Sequence, residues 1–127
     1  MRVETKKYLL DIQGAAALAL DFVSGRTLAD YEASAMVRAA VERQCEIIGE
    51  ALAKLAKVDE AVTARISEHR RIIVFRNILI HGYADVDHRL VWDVVTTKVP
   101  ILAAGCAAVR TLHRRRLLRR RSGDSKP

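Results

Sequence analysis

The fold is decided by the stretch Val37-Arg-Ala-Ala-Val41-Glu-Arg-Gln-Cys-Glu-Ile-Ile48-Gly-Glu-Ala-Leu52-Ala-Lys-Leu55. The numbered apolar residues recur at steps of three, four and seven, so they lie on one stripe of an α-helix. This near-heptad spacing is typical of a helix whose apolar stripe forms a seam with other helices in a bundle. The sequence therefore predicts a long central helix against which the rest of the chain packs.

Other segments on both sides of this helix show the same period. The central helix is predicted to begin after Thr27, where Asp30 three residues later resembles a capping box, and to run without a break to about Lys57. Pro100 lies inside the last segment and removes one backbone hydrogen bond, so a bend is expected near Thr96. The other predicted helices cover residues 6–23, about 67–82, and a stretch from 86 or 88 through 102 toward the end of the chain, with a connection over 58–66.

The composition agrees with helices packed on helices. Half of the 127 residues are apolar, only 5% are aromatic, and six Gly and two Pro are too few to punctuate many short strands. We therefore expect one all-α domain, an antiparallel four-helix bundle with a basic C-terminal extension. The longest uninterrupted apolar run, 99–109, contains Pro100 and is short for a bilayer, so we expect a cytoplasmic protein without a membrane segment.

The positive charge is concentrated at one end of the chain. Residues 1–112 carry 15 basic and 14 acidic groups, whereas residues 113–127 carry six Arg and one Lys against Asp124. The first range is predicted to be the helical domain, and the second an Arg-rich tail that is partly disordered. Such a tail either attracts nucleic-acid phosphates without reading sequence or is a solvated helix end whose cations suit the helix dipole. Six Arg in eight positions favour nucleic acid, in an accessory role.

Metal and disulfide chemistry have little support in the sequence. Cys45 and Cys106 lie far apart on apolar stretches and are predicted to be core thiols. The four His residues form no pattern with metal-ligand spacing, so we expect no metal site and no cofactor.

The stretch Arg76-Asn77-Ile-Leu-Ile-His81-Gly-Tyr83 places polar groups at the end of an otherwise apolar helix. Asn77 and His81 share a helix face, whereas Arg76 and His81 are about 140° apart around an ideal helix. They converge if the helix breaks early, if the Arg side chain wraps round, or if a second subunit supplies one of them, and this tension suggests a dimer.

A purely structural interpretation of these residues is also open. Arg76 would then pair with Glu46 or Glu50 of the central helix, and 81–83 would be an ordinary helix terminus. The two carboxylates lie four residues apart and are predicted to be partners of arginines of the third helix. The residue types and spacing alone leave the functional and structural interpretations about equally supported.

The same stretch resembles the R-x4-H-x-Y signature of the HepT-like ribonuclease toxins, a branch of the HEPN superfamily. Cys45-Glu-Ile-Ile-Gly-Glu-Ala51 is similar to the E-x-I-G-E-A stretch of this family, and the resemblance covers roughly residues 5–105. Two features differ: the Pro-Trp that usually precedes the third helix is missing, and the Arg-rich tail is not a family hallmark.

The resemblance implies a HEPN-like bundle and a metal-independent endoribonuclease toxin of a type II/VII-like toxin–antitoxin system. His81 would be the general acid or base, Arg76 would hold the scissile phosphate, and Asn77 would support them. It further implies a homodimer with a composite site at its interface. Tyr83 would receive AMP from a minimal, MntA-like nucleotidyltransferase antitoxin, which silences the toxin.

Two other functional interpretations stay open. The chain could be a non-catalytic HEPN helical module that partners a minimal nucleotidyltransferase. It could also be a general RNA-binding protein that depends on its Arg-rich tail. An intact Arg76 and His81 pair favours the ribonuclease, because a docking module has no need of both.

Overall fold

The computed structural model describes residues 1–82 and 86–123, and in these ranges it confirms the expected all-α bundle. The start of α1 lies beside the end of α3, where the Arg2 guanidinium donates to the Val58 carbonyl at 2.9 Å, so these two helices run antiparallel. The helices are α1 (Val3–Val23), α2 (Leu28–Ala33), α3 (Ala35–Val58), α4 (Glu60–Ala64), α5 (His69–His81), α6 (His88–Asp93) and α7 (Val99–Gly123), with a π-helical turn, Val94–Lys98, between the last two.

Four long segments form the bundle: α1, α3, α5 and the run from α6 to α7. The apolar stripe predicted on the central helix is buried on α3 and faces α1 and α5. Each aliphatic side chain removed from water in this way contributes about 1.5–3 kcal/mol. The largest fully buried aliphatic residues are Leu9, Ile12, Ile48, Leu52, Leu55, Ile66, Ile72 and Leu102.

The prediction of one unbroken helix from Thr27 to about Lys57 is wrong. The capping box is present, with reciprocal hydrogen bonds of 3.1 and 2.9 Å between Thr27 and Asp30, but the helix that it opens ends at Ala33. Ser34 is extended (φ −112°, ψ 102°), and its hydroxyl caps α3 by accepting from the Val37 N–H. The break lets α2 turn and bury Tyr31, whose ring centroid lies 5.6 Å from that of Trp92 on α6.

Near Thr96, where the sequence predicts a bend, the structure has the π-helical turn. The Val99 N–H donates to the Val94 carbonyl, five residues back, and Pro100 follows immediately. The Thr96 and Thr97 hydroxyls donate to the carbonyls of Trp92 and Asp93 at 2.8 and 2.6 Å. These hydroxyls satisfy carbonyls that a regular α-helical ladder would have paired, so the chain continues as a helix through its proline.

Helix α7 does not end where the basic tail begins. Residues 113–123 of the tail, for which the sequence predicts partial disorder, continue the helix, and 124–127 lie outside the described residues. The helical run His88–Ser122 is long and apolar enough to cross a membrane by length and composition, with 33% of its most apolar window buried in the bundle. The expectation based on uninterrupted apolar runs did not anticipate a candidate of this length.

Candidate active site at the end of helix α5

Helix α5 places Arg76 against α3 at a point where α3 has no side chain. A Cβ atom on Gly49 would lie 2.2 Å from the Cβ of Arg76 and 2.7 Å from its Cγ. Carbon atoms without a bond between them do not approach so closely, so only glycine allows α5 to pack on α3 at this distance. The sequence contains Gly49 within the E-x-I-G-E-A stretch, but its role becomes visible only when the two helices are packed together.

The head of Arg76 is directed toward the face on which the sequence places His81. Its Nη1 donates to the Asn77 side-chain oxygen at 3.2 Å. Because Asn77 and His81 share a helix face, this bond turns the guanidinium toward the histidine. The bond is compatible with an Arg side chain that wraps round its own helix, and the two other routes by which the pair could converge stay open.

The structural interpretation of Arg76 is not supported by the described residues. Glu46 pairs with Arg43 at 3.2 Å, and Glu50 pairs with Lys54 at 3.3 Å, so both carboxylates bind cations of their own helix. The predicted pairing of these glutamates with arginines of α5 is therefore wrong, because each finds a partner one turn away. The buried Nε of Arg76 has no hydrogen-bond acceptor within residues 1–82 and 86–123. A guanidinium without a carboxylate partner is suited to an anionic ligand.

His81 is the last residue of α5 and is exposed to solvent. The Gly82 N–H donates to the Ile78 carbonyl at 2.7 Å, and a Cβ on Gly82 would lie only 2.5 Å from that oxygen. Glycine thus lets the chain leave the helix directly after the histidine. Tyr83, the predicted modification site, lies outside the described residues.

An apolar groove of about 390 Å³ lies beside this site, between α5 and the run that starts with α6. Val74 and Ile78 of α5 and Leu90 of α6 line it and are 58%, 44% and 39% exposed. Arg70, Arg71 and Lys98 bring positive charge to the lining of the groove, and Asp93 brings one negative charge. Exposed apolar side chains that adjoin one another in this way indicate a surface that another molecule covers.

The cysteines and the His, Asp and Glu side chains outside this site do not form a second candidate site within the described residues. Cys45 and Cys106 are both buried, as predicted for core thiols, and burial raises the pKa of each thiol to about 12, which disfavours the reactive thiolate. Within the described ranges, no three His, Cys, Asp or Glu side chains come together as metal ligands. On α3, desolvation raises the pKa of the half-buried Glu42 carboxyl, and the charge of His88 opposes the shift.

Comparison with known proteins shows the family that the chain resembles. A family model described as "Ribonuclease HepT-like" matches residues 12–109. The "Probable ribonuclease HepT" of Thermococcus cleftensis is 32% identical over 102 residues, which are 80% of this chain and 92% of that protein. The "Putative RNase MJ1380" of Methanocaldococcus jannaschii is 32% identical over 97 residues, 76% of this chain and 88% of that protein. No solved structure gives a significant match.

The family match covers the bundle from α1 to α7, including Gly49 and the polar end of α5, and stops before the Arg-rich tail. Two of the similar proteins exceed 30% identity over more than two thirds of their length and of this chain. The chain therefore belongs to the HepT-like ribonuclease family, within the HEPN superfamily.

Proposed function

We propose that the protein is a metal-independent endoribonuclease and the toxin of a toxin–antitoxin pair of the type II/VII-like class. The observation that carries the proposal is the state of Arg76: its stem is packed on Gly49, its head is turned by Asn77, and both nearby glutamates are bound elsewhere. A cation placed in this way, on the helix that ends at an exposed histidine five residues later, fits the task of holding and cleaving a phosphodiester.

The chemistry needs only groups that the chain and the RNA supply. His81 accepts the proton of the ribose 2′-hydroxyl, and the resulting oxygen attacks the adjacent phosphorus. Arg76 stabilises the negative charge that grows on the non-bridging oxygens. The bond to the 5′-oxygen then breaks, and this oxygen takes a proton from water. The products are a 2′,3′-cyclic phosphate and a 5′-hydroxyl, and DNA is not cut because it lacks the nucleophile.

The first test is RNA cleavage in excess chelator, with the product ends identified by mass. We expect full cleavage, ends that carry a cyclic phosphate, and no cut at a position where the RNA has a single 2′-deoxy substitution. A chelator-sensitive reaction, or a product with a 3′-hydroxyl, would contradict this mechanism. If unmodified protein cleaved none of several RNAs, the non-catalytic partner of a nucleotidyltransferase would become the better interpretation.

We further propose that two copies of the chain associate through the groove beside the site, as a homodimer with a composite site. Val74, Ile78 and Leu90 supply exposed apolar area next to the candidate catalytic residues. A two-fold axis at this surface would place two Arg76 and two His81 side chains in one cleft, with RNA as the shared ligand.

Regulation by a minimal, MntA-like nucleotidyltransferase is proposed to act on Tyr83, two residues from His81. An AMP group on this tyrosine would add bulk and negative charge where the RNA phosphate binds. We expect Tyr83→Phe to cleave RNA as wild type does, yet to gain no AMP mass and to stay active with the nucleotidyltransferase and ATP. Wild type under the same conditions should gain AMP and lose activity. If the Phe variant were labelled and silenced as well, another residue would be the modified one.

A further inference from the structure

The described end of α7 is a strongly basic helix. Between Asp93 and Gly123 the sequence contains no carboxylate. The basic end, as we name this cluster, consists of six exposed arginines: Arg114, Arg115, Arg116, Arg119, Arg120 and Arg121. The local potential is positive enough to act on a neighbour: the pKa of His113 is lowered by desolvation and then by the charges of the N-terminal amine, Arg120, Lys6 and Arg116.

The arginines of the basic end are distributed around the whole helix. At 100° per residue, Arg115 and Arg119 share one side, and Arg116 and Arg120 share the next. Arg114 and Arg121 lie on the opposite side, so the helix has no continuous apolar face. A helix that lies in a membrane surface needs such a face, whereas a cationic rod can follow a phosphate backbone from any side. All six cations are arginines, and a planar guanidinium can donate two parallel hydrogen bonds to phosphate oxygens.

Within one chain, the basic end is far from the candidate active site. Ile78 and Leu90 line one groove, which places the start of α6 beside the end of α5. Twenty-nine residues of nearly continuous helix separate Leu90 from Arg119, which corresponds to about 44 Å. This distance is comparable with the span of a double-stranded RNA-binding domain, about 16 base pairs.

We propose that the basic end is a second RNA-binding surface, which holds the phosphate backbone of a folded RNA at a distance from the cleaved bond. The substrate class is then structured RNA with a duplex of about 16 base pairs or more, rather than a short single strand. The claim that the bound RNA is also cleaved rests on the proposed ribonuclease function. The claim that the basic end binds RNA does not depend on it.

The test replaces Arg115, Arg116, Arg119 and Arg120 together by Gln, with the same four positions replaced by Lys as the charge-matched control. Full-length proteins are titrated with a hairpin RNA of about 16 base pairs and with a single strand of about eight nucleotides, at several salt concentrations. We expect the Gln variant to bind the hairpin about tenfold more weakly near 0.15 M salt and with a shallower salt dependence. The affinity of the Gln variant for the short strand should fall less, and the Lys variant should keep most of the wild-type affinity for the hairpin.

Equal hairpin affinity and equal salt slope for wild type and the Gln variant would overturn the proposal. Unchanged RNA binding together with lost binding to phosphatidylserine vesicles would overturn it too, and would make the basic end a membrane contact. Cleavage is measured in parallel on both RNAs. If no RNA is cut but the hairpin affinity falls as expected, the proposed ribonuclease activity fails while the second RNA-binding surface stands.

Discussion

His81→Ala is expected to lower the rate of RNA cleavage by about 10²–10⁴-fold, the usual contribution of a general base or acid. The midpoint of thermal unfolding should change little, because His81 is exposed at the last position of α5. His69→Gln is a matched control at the first position of the same helix, about 18 Å away. Its ring nitrogen lies 2.7 Å from the Ile66 carbonyl, and Gln can donate to that oxygen. Equal cleavage by wild type and His81→Ala would remove His81 from the mechanism.

Mixing two inactive variants shows whether the site is shared between subunits. Arg76→Ala and His81→Ala are unfolded together and refolded, so that half of the resulting dimers are mixed. A composite site would recover about a quarter of the wild-type rate, because one of the two sites in each mixed dimer has both residues intact. A site formed within one chain would recover none, and that outcome would contradict the composite site.

The helical framework could be predicted from the sequence because it depends on local periodicity. The seam of α3 and the cap at Thr27 are encoded within a few residues, and the structure has both. The break at Ser34 could not be predicted in this way, since the helical period continues across it. What decides the break is the burial of Tyr31 against Trp92, a contact between residues 61 positions apart.

The sequence proposes the residues of the candidate site but determines only part of their geometry. The spacing of Arg76, Asn77 and His81 fixes the faces on which they lie, but not the direction of a long Arg side chain. The sequence also suggested glutamate partners for Arg76, which in the structure bind Arg43 and Lys54 of α3. Intrahelical pairs are closer in sequence, and therefore form without any requirement on how α3 and α5 pack.

Gly49 is the residue whose importance only the packed structure reveals, and its replacement is the second large effect that we expect. A methyl group at this position would meet the Cβ and Cγ of Arg76 at 2.2 and 2.7 Å. Both atoms lie next to the backbone of α5, so the arginine cannot swing clear by changing its outer torsions. The two helices must move apart, and the guanidinium moves with α5.

Gly49→Ala is therefore expected to lower the free energy of unfolding by about 1–3 kcal/mol, the usual range for an overpacked interface. Cleavage should fall by about 10²-fold at a temperature at which the variant is still folded, because a displacement of about 1 Å can cost that much. The measurements are denaturant unfolding and the rate of RNA cleavage. The loss of activity should exceed the loss in the folded fraction at the assay temperature.

Two other helical glycines separate crowding from helix propensity. A Cβ on Gly14 of α1 would have nothing within 4 Å, and one on Gly105 of α7 would meet its nearest neighbour, Ile66, at 3.7 Å. Alanine at either position should leave cleavage unchanged and raise stability by up to about 0.5–1 kcal/mol, since Ala is the better helix former. If Gly49→Ala were as stable and as active as these controls, α3 and α5 would not need to approach each other so closely. If Gly49→Ala lost stability but kept full activity, cleavage would tolerate the displacement of Arg76, and the glycine would serve the fold alone.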